Sequence, residues 1–102
     1  MSNDRNLIEL EAKLVRLIQE TPDIERKQEL RNRLNHIQTT KERLIGKNLE
    51  AAGEEYETAT VALREANQSL TETLDDISKI NQTLTKVAKV AEALSKVAEK
   101  LT

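Results

Sequence analysis

Residues 49–101 carry one long apolar repeat, LEAAGEEYETATVALREANQSLTETLDDISKINQTLTKVAKVAEALSKVAEKL. From Leu49 to Leu101 an apolar or small residue recurs every three or four positions without a change of register. This spacing places one face of a helix against a neighbouring helix, and a sustained 3.5-residue period predicts a left-handed supercoil. The repeat predicts a helix over about 48–101, which at 1.5 Å per residue would be roughly 80 Å long.

The two halves of this repeat differ in side-chain size and in charge. Alanine fills alternate seam positions from 52 to 66, whereas Ile, Leu and Val dominate from 77 to 101, so the halves are expected to face different neighbours. Residues 50–76 hold eight acids against Arg64 alone, and residues 77–102 hold five lysines against two glutamates. Folded back on each other, the two halves would attract.

A turn near residues 73–76 is therefore the alternative to one unbroken helix. Thr73-Leu-Asp-Asp76 reads as a capping box, and Asn, Gln, Ser and Thr crowd the surrounding residues 67–85. Against the turn stand the absence of Gly or Pro there and the continuous register. The sequence is compatible both with one unbroken helix and with two helices joined by a turn.

Two shorter helices precede the long repeat. Leucines at 7, 10, 14 and 17 form the first stripe, which predicts a helix over about 4–20. The segment Glu20-Thr21-Pro22-Asp23 ends it and begins a second helix over about 22–45, with Thr21 expected as N-cap and Pro22 at the first helical position. Gly46 and a one-residue slip of register mark the end of that helix.

These patterns predict a single all-α domain over residues 1–102. One possible architecture is an antiparallel helical hairpin or coiled coil that feeds the long C-terminal heptad helix. The other is an up-down helical bundle with its last turn near 73–76.

Composition narrows the classes of function. One third of the residues are charged but the net charge is only −2, so acids and bases are interleaved and no nucleic-acid partner is expected. The chain has no cysteine and no run of about 20 apolar residues, and residues 1–6 are polar. We expect a cytoplasmic protein without a secretory signal or a transmembrane helix.

The residues that could carry chemistry have simpler interpretations. His36, the only histidine, has neither the acidic neighbour nor the nearby Lys-Gly typical of phosphotransfer histidines, and is expected to be an exposed helical residue. The carboxylates at 54, 55 and 57 and at 75 and 76 have no histidine companion, so they read as solvated helix faces. Tyr56 is expected to fill a layer of the seam left roomy by alanines. The sequence predicts no enzyme, catalytic residue, metal or cofactor.

The function that the pattern favours is helix-on-helix association as an assembly, scaffold or adaptor subunit. Its contact residues are expected to be the large side chains of the C-terminal seam: Ile77, Ile80, Leu84, Val87, Leu94 and Leu101. The partner would be a second copy or another helical protein, with no small-molecule substrate.

The rival hypothesis is an amphipathic membrane- or lipid-associating protein. Residues 84–101 are apolar on one face and carry Lys86, Lys89 and Lys96 elsewhere, as in helices that lie on membrane surfaces. The segment lacks Trp and Phe as interfacial anchors, which favours its assignment to a bundle core.

Overall fold

The computed structural model describes residues 2–102, with side chains described from residue 4 onward. This part of the chain forms four α-helices: α1 (Ser2–Glu20), α2 (Ile24–Leu44), α3 (Glu54–Asp75) and α4 (Ile80–Leu101). Two 3-10 turns, Leu49–Ala52 and Ile77–Lys79, precede α3 and α4, and the described residues contain no strand. The prediction of an all-α fold is confirmed.

The four helices form an up-down bundle of 40 × 20 × 18 Å. Both α1 and α4 pack against α2 and α3, so α1 lies diagonally opposite α4. The contacts between α3 and α4 are the most extensive and those between α1 and α2 the least. The alanine-rich half of the repeat therefore faces α1 as well as α4, and the half rich in larger residues faces α2 as well as α3, as their different side chains predicted.

Of the two architectures left open, the structure has the up-down bundle with a turn near 73–76. The repeat folds back after Asp75, so it does not form one helix of roughly 80 Å. Asp76 adopts an extended backbone (φ −143°, ψ 97°), and its side chain accepts hydrogen bonds from the backbone N–H and the hydroxyl of Ser78. These bonds cap the 3-10 turn that starts α4. An unbroken helix would leave its apolar face in water, whereas folding back buries that face within the chain.

The start of α3 was also predicted too early, at about residue 48. Residues 49–52 form a 3-10 turn, and Gly53 then takes a positive φ of 63° before the helix begins at Glu54. Glycine tolerates this conformation because it has no Cβ. The apolar repeat continues through Gly53 without a change of register, so the glycine itself was the sequence signal for the start of α3.

The turn between α1 and α2 corrects the assignment of Thr21 as N-cap. The N-cap is Asp23, whose carboxylate accepts the backbone N–H of Glu25 at 3.0 Å. Thr21 is buried and donates its hydroxyl to the Leu17 carbonyl at 2.6 Å, which closes the end of α1. Both residues are good caps by type. Because α2 begins at Ile24, the capping position is Asp23, and Pro22 lies outside the helix instead of at its first position.

Candidate functional site

The structure divides the six predicted contact residues between the core and the surface of the bundle. Leu84, Val87 and Leu94 are buried in the core of this same chain. Ile80 and Leu101 are half-buried against that core, and Ile77 is 45% exposed beside the α3–α4 turn. That these residues contact a second chain stays a prediction, and three of them already hold α4 on its neighbours.

The surface between α3 and α4 is a shallow groove on the outside of the bundle, which we call the α3–α4 face. Its floor contains small residues, Ala62 and Ala93, and Val61 stands 48% exposed within it. The remaining residues of the face are Glu57, Thr58 and Glu65 on α3 and Lys86, Lys89, Glu92 and Lys96 on α4. The face thus carries acids along α3 and mainly lysines along α4.

Charge couples the two helices that border this face. Glu65 forms an ion pair with Lys86 across the groove at 3.7 Å, and Glu72 pairs with Lys79 at the same distance near the turn. The acidic and basic halves of the repeat therefore attract within one chain, as their sequences predicted. All four side chains are partly exposed, so each pair contributes little, roughly 0–1 kcal/mol.

Three hydroxyls lie buried between α3 and α4. Thr83 has its Oγ1 2.6 Å from Ser69 Oγ and 2.5 Å from Thr73 Oγ1, and it donates to the Ser69 carbonyl at 3.1 Å. Buried hydroxyls need such partners, because an unmade hydrogen bond costs about 1–3 kcal/mol. Only Thr73 stands at a position of the apolar repeat, whereas Ser69 and Thr83 each lie one residue before such a position, so the repeat did not predict this cluster.

Asn67 joins α3 to α1. Its amide Nδ2 donates to the Asn6 carbonyl at 3.0 Å, while Lys13 Nζ lies 3.5 Å from the Asn67 carbonyl. The Asn67 side chain is buried, and its Oδ1 has no hydrogen-bond partner. These contacts between polar groups fix the relative height of two parallel helices.

The turn that joins α3 to α4 carries a perturbed carboxylate. The hydroxyl of Ser78, and next its backbone N–H, hold the pKa of Asp76 below its ordinary value of 3.8, with Lys79 adding in the same direction. The ionised form accepts these bonds, which is why they favour it. Asp76 is fully exposed, so the shift reflects the local cap and no buried site.

The remaining candidates, His36 and Tyr56, lie apart on different helices. His36 is exposed on α2, with its Nε2 3.4 Å from Ser95 Oγ. Tyr56 is half-buried and lines a cavity at one end of the bundle. Within the described part of the chain, no three His, Asp or Glu side chains come close enough to hold a metal ion.

Comparison of the chain with protein-family models, with curated proteins and with solved structures found no match. None of the helices described here combines the length and the apolar character needed to cross a bilayer.

Proposed function

We propose that the protein is a non-enzymatic assembly module that pairs with a second copy of itself through the α3–α4 face. The observation that carries this proposal is the acidic row on α3 beside the lysine row on α4, with Val61 exposed within the same groove. Such a surface is complementary to itself. A single face that meets its own copy across a two-fold axis is the commonest way in which soluble chains assemble.

Charge selects one of two ways to pair these faces. Rotation about an axis along the groove lays α3 of the second copy over α4 of the first, so Glu65 of one chain faces Lys86 of the other. The opposite end of the groove then brings Glu57 to Lys96. Rotation about an axis across the groove would lay α3 over α3, and its carboxylates would repel.

The size of the molecule fits a pairing of this kind. A standard interface buries roughly 800 Å² per partner, and one side of the bundle measures about 40 by 20 Å. Burial of Val61 and of the partly buried Ala62 would supply apolar contact, while the charges would fix orientation and partner. Because exposed charges are screened by salt, the dimer should weaken as ionic strength rises.

The membrane hypothesis requires the bundle to open. The apolar face of α4 is occupied in the core, where Leu84, Val87 and Leu94 are buried. Exposing each such side chain costs roughly 1.5–3 kcal/mol. Co-sedimentation with anionic vesicles tests this rival, and binding that Lys86→Glu and Lys96→Glu abolish would favour it over self-association.

Light scattering coupled to size exclusion, over a concentration series, tests the dimer together with two double variants. Glu57→Lys/Glu65→Lys makes the α3 row basic, and Lys86→Glu/Lys96→Glu makes the α4 row acidic. Each variant alone should remain a monomer at concentrations where the natural sequence dimerises. An equal mixture of the two should dimerise again, because the basic α3 row then meets the acidic α4 row.

The matched control is Glu25→Lys/Glu42→Lys, which makes the same change of charge on exposed positions of α2. It should dimerise like the natural sequence. A natural chain that stays monomeric at every concentration would overturn the proposal. So would a dimer that survives both double variants, or a mixture that fails to restore association while each variant keeps its helical circular dichroism.

A further inference from the structure

A cavity of about 370 Å³ opens at the end of the bundle where α1 and α3 begin and α2 and α4 end. Its wall is mainly apolar and includes Leu7, Leu44, Leu63 and Val97, with Leu49 contributed by the segment that connects α2 to α3. Protein interiors seldom leave voids larger than a water molecule. A cavity of this size is within the range of small-molecule sites, about 300–1,000 Å³.

Small residues account for the empty volume. Ala59 lies in the wall, and the alanines of α3 leave this layer without the large side chains that fill the layers of α4. Gly46, also in the wall, has no atom within 4 Å of the place where a Cβ would stand. The space is therefore a consequence of side-chain size at particular positions.

The mouth of the cavity is apolar as well. Ile8 is 61% exposed and Ile45 is 73% exposed, and both line it. Because both side chains border the same cavity, they extend its apolar surface to the mouth, as in many ligand-binding sites.

The charged groups at the mouth are balanced. Lys41 and Lys47 line the cavity together with Asp4, and Lys41 forms an ion pair with Glu11 at 3.0 Å. Among the described residues named here, two ammonium groups stand against two carboxylates. A charged ligand head would find no net opposite charge there, and burying it unpaired would be costly.

We propose that this cavity binds an uncharged aliphatic molecule of about eleven non-hydrogen atoms, with a hydroxyl as its polar end. A volume of about 370 Å³ lies near the lower end of the range of small-molecule sites, which fits a ligand of this size. Tyr56 is half-buried in the cavity wall, and its hydroxyl would be the polar group to which the ligand hydroxyl binds. Apolar cavities of less than half this volume already bind small hydrocarbons.

Tyr56 makes the site directly observable. It is the only aromatic residue, since the chain has no Trp and no Phe. Tyrosine fluorescence and near-ultraviolet circular dichroism therefore report on the cavity alone. The inference is independent of the proposed dimer, because the α3–α4 face shares no residue with the cavity wall.

The experiment titrates the full chain with 1-decanol, up to its solubility limit, and compares sodium decanoate and decyltrimethylammonium at pH 8. Decanol should change the Tyr56 signal in a saturable manner and raise the melting temperature, because a ligand that binds only the folded state stabilises it. Both charged analogues should bind at least about tenfold more weakly. Methyl NMR shifts should be confined to residues of the cavity wall.

Ala59→Leu fills the cavity, and Ala12→Leu makes the same change at an exposed position of α1 as its control. Decanol binding should fall at least about tenfold in the first variant and stay unchanged in the second. Tyr56→Phe should erase the preference for decanol over decane, as read from methyl shifts.

Four results would overturn the proposal. They are no change in the Tyr56 signal or the methyl shifts of the natural sequence, equal or tighter binding of either ion, methyl shifts outside the cavity, and full binding by a folded Ala59→Leu variant. Should Ala59→Leu fail to fold, the methyl shifts of the natural sequence and the Tyr56→Phe comparison still decide the location and the chemistry of binding.

Discussion

Helices α2 and α4 have nearly the same length, 21 and 22 residues, and use it differently. Only four residues of α2 are buried, whereas nine residues of α4 are, among them Val87, Val90 and Val97. The sequence of α2 interrupts its stripe with Lys27 and Lys41, and that of α4 broadens its stripe with additional valines. Two helices of similar length therefore contribute different numbers of residues to the core. The width of the apolar stripe in the sequence predicts this difference.

The largest expected effect comes from placing a charge in the core of α4. Val87→Asp buries a carboxylate at a position with no exposed surface, so the free energy of unfolding should fall by roughly 4 kcal/mol or more. For a small domain this is a large part of the total stability. The measurement is thermal and urea unfolding followed by circular dichroism.

The matched control for this variant is Ile24→Asp on α2, also a β-branched residue changed to aspartate. Ile24 is 82% exposed, and an acid in the first turn of a helix interacts favourably with its dipole. Its stability should stay within about 0.5 kcal/mol of the natural sequence. Equal losses in the two variants would contradict the contrast between α2 and α4.

An intermediate effect is expected from the polar layer at which α4 meets α3. Thr83→Val keeps the shape of the side chain but removes the hydroxyl shared by Ser69 and Thr73, so stability should fall by about 1–3 kcal/mol. Changing all three residues, as Ser69→Ala/Thr73→Val/Thr83→Val, should restore most of that loss because no buried hydroxyl then lacks a partner. Additive losses in urea unfolding would mean that the hydroxyls act separately.

The smallest effect concerns the turn that lets α4 fold back. When followed by NMR, the carboxyl of Asp76 should titrate with a pKa below 3.8, because Ser78 donates hydrogen bonds to its ionised form. A carboxyl whose pKa is lower in the folded state stabilises the fold at pH values above its unfolded-state pKa. This stabilisation is lost as the pH falls through the folded-state pKa. At pH 6 the Asp76→Ala variant should therefore be less stable than the natural sequence. On acidification it should lose less stability than the natural sequence does.

Asp75→Ala is the control for this prediction, since it removes the neighbouring carboxylate without removing the bonds to Ser78. Its stability should keep the pH dependence of the natural sequence in the acid range. An Asp76→Ala variant with that same dependence would show that the cap contributes nothing measurable to the fold.

The sequence-based predictions succeeded where the signal was local and periodic. The stripe of leucines located α1 within two residues at its start, and Gly46 marked the end of α2. The break near 73–76 was visible as a capping pattern but competed with an unbroken register, and register alone favoured one long helix. The local sequence was compatible with one long helix and with two helices joined by a turn. A capping pattern involves residues within one helical turn, whereas the contacts that favour folding back join residues far apart in the sequence.

The candidate sites were less predictable for the same reason. Acids on one half of the repeat and lysines on the other were plain in the sequence, yet their meeting as one face needed the turn at Asp76. The buried hydroxyls and the end cavity depend on which residues from different helices share a layer. Tyr56 packs against the core and also lines the end cavity, and this cavity was not predicted from the sequence.

By itself the sequence determined that the chain is helical, where α1 and α2 lie, and which face of each helix avoids water, because these follow from spacing and capping over a few residues. Only the tertiary structure decided that Leu84, Val87 and Leu94 of the C-terminal seam are buried within the chain, whereas Ile77 stays exposed. It also decided that a cavity remains where α1 and α3 begin. Heptad spacing specifies which side of a helix is buried, and the choice of neighbour depends on the total apolar area that each arrangement removes from water.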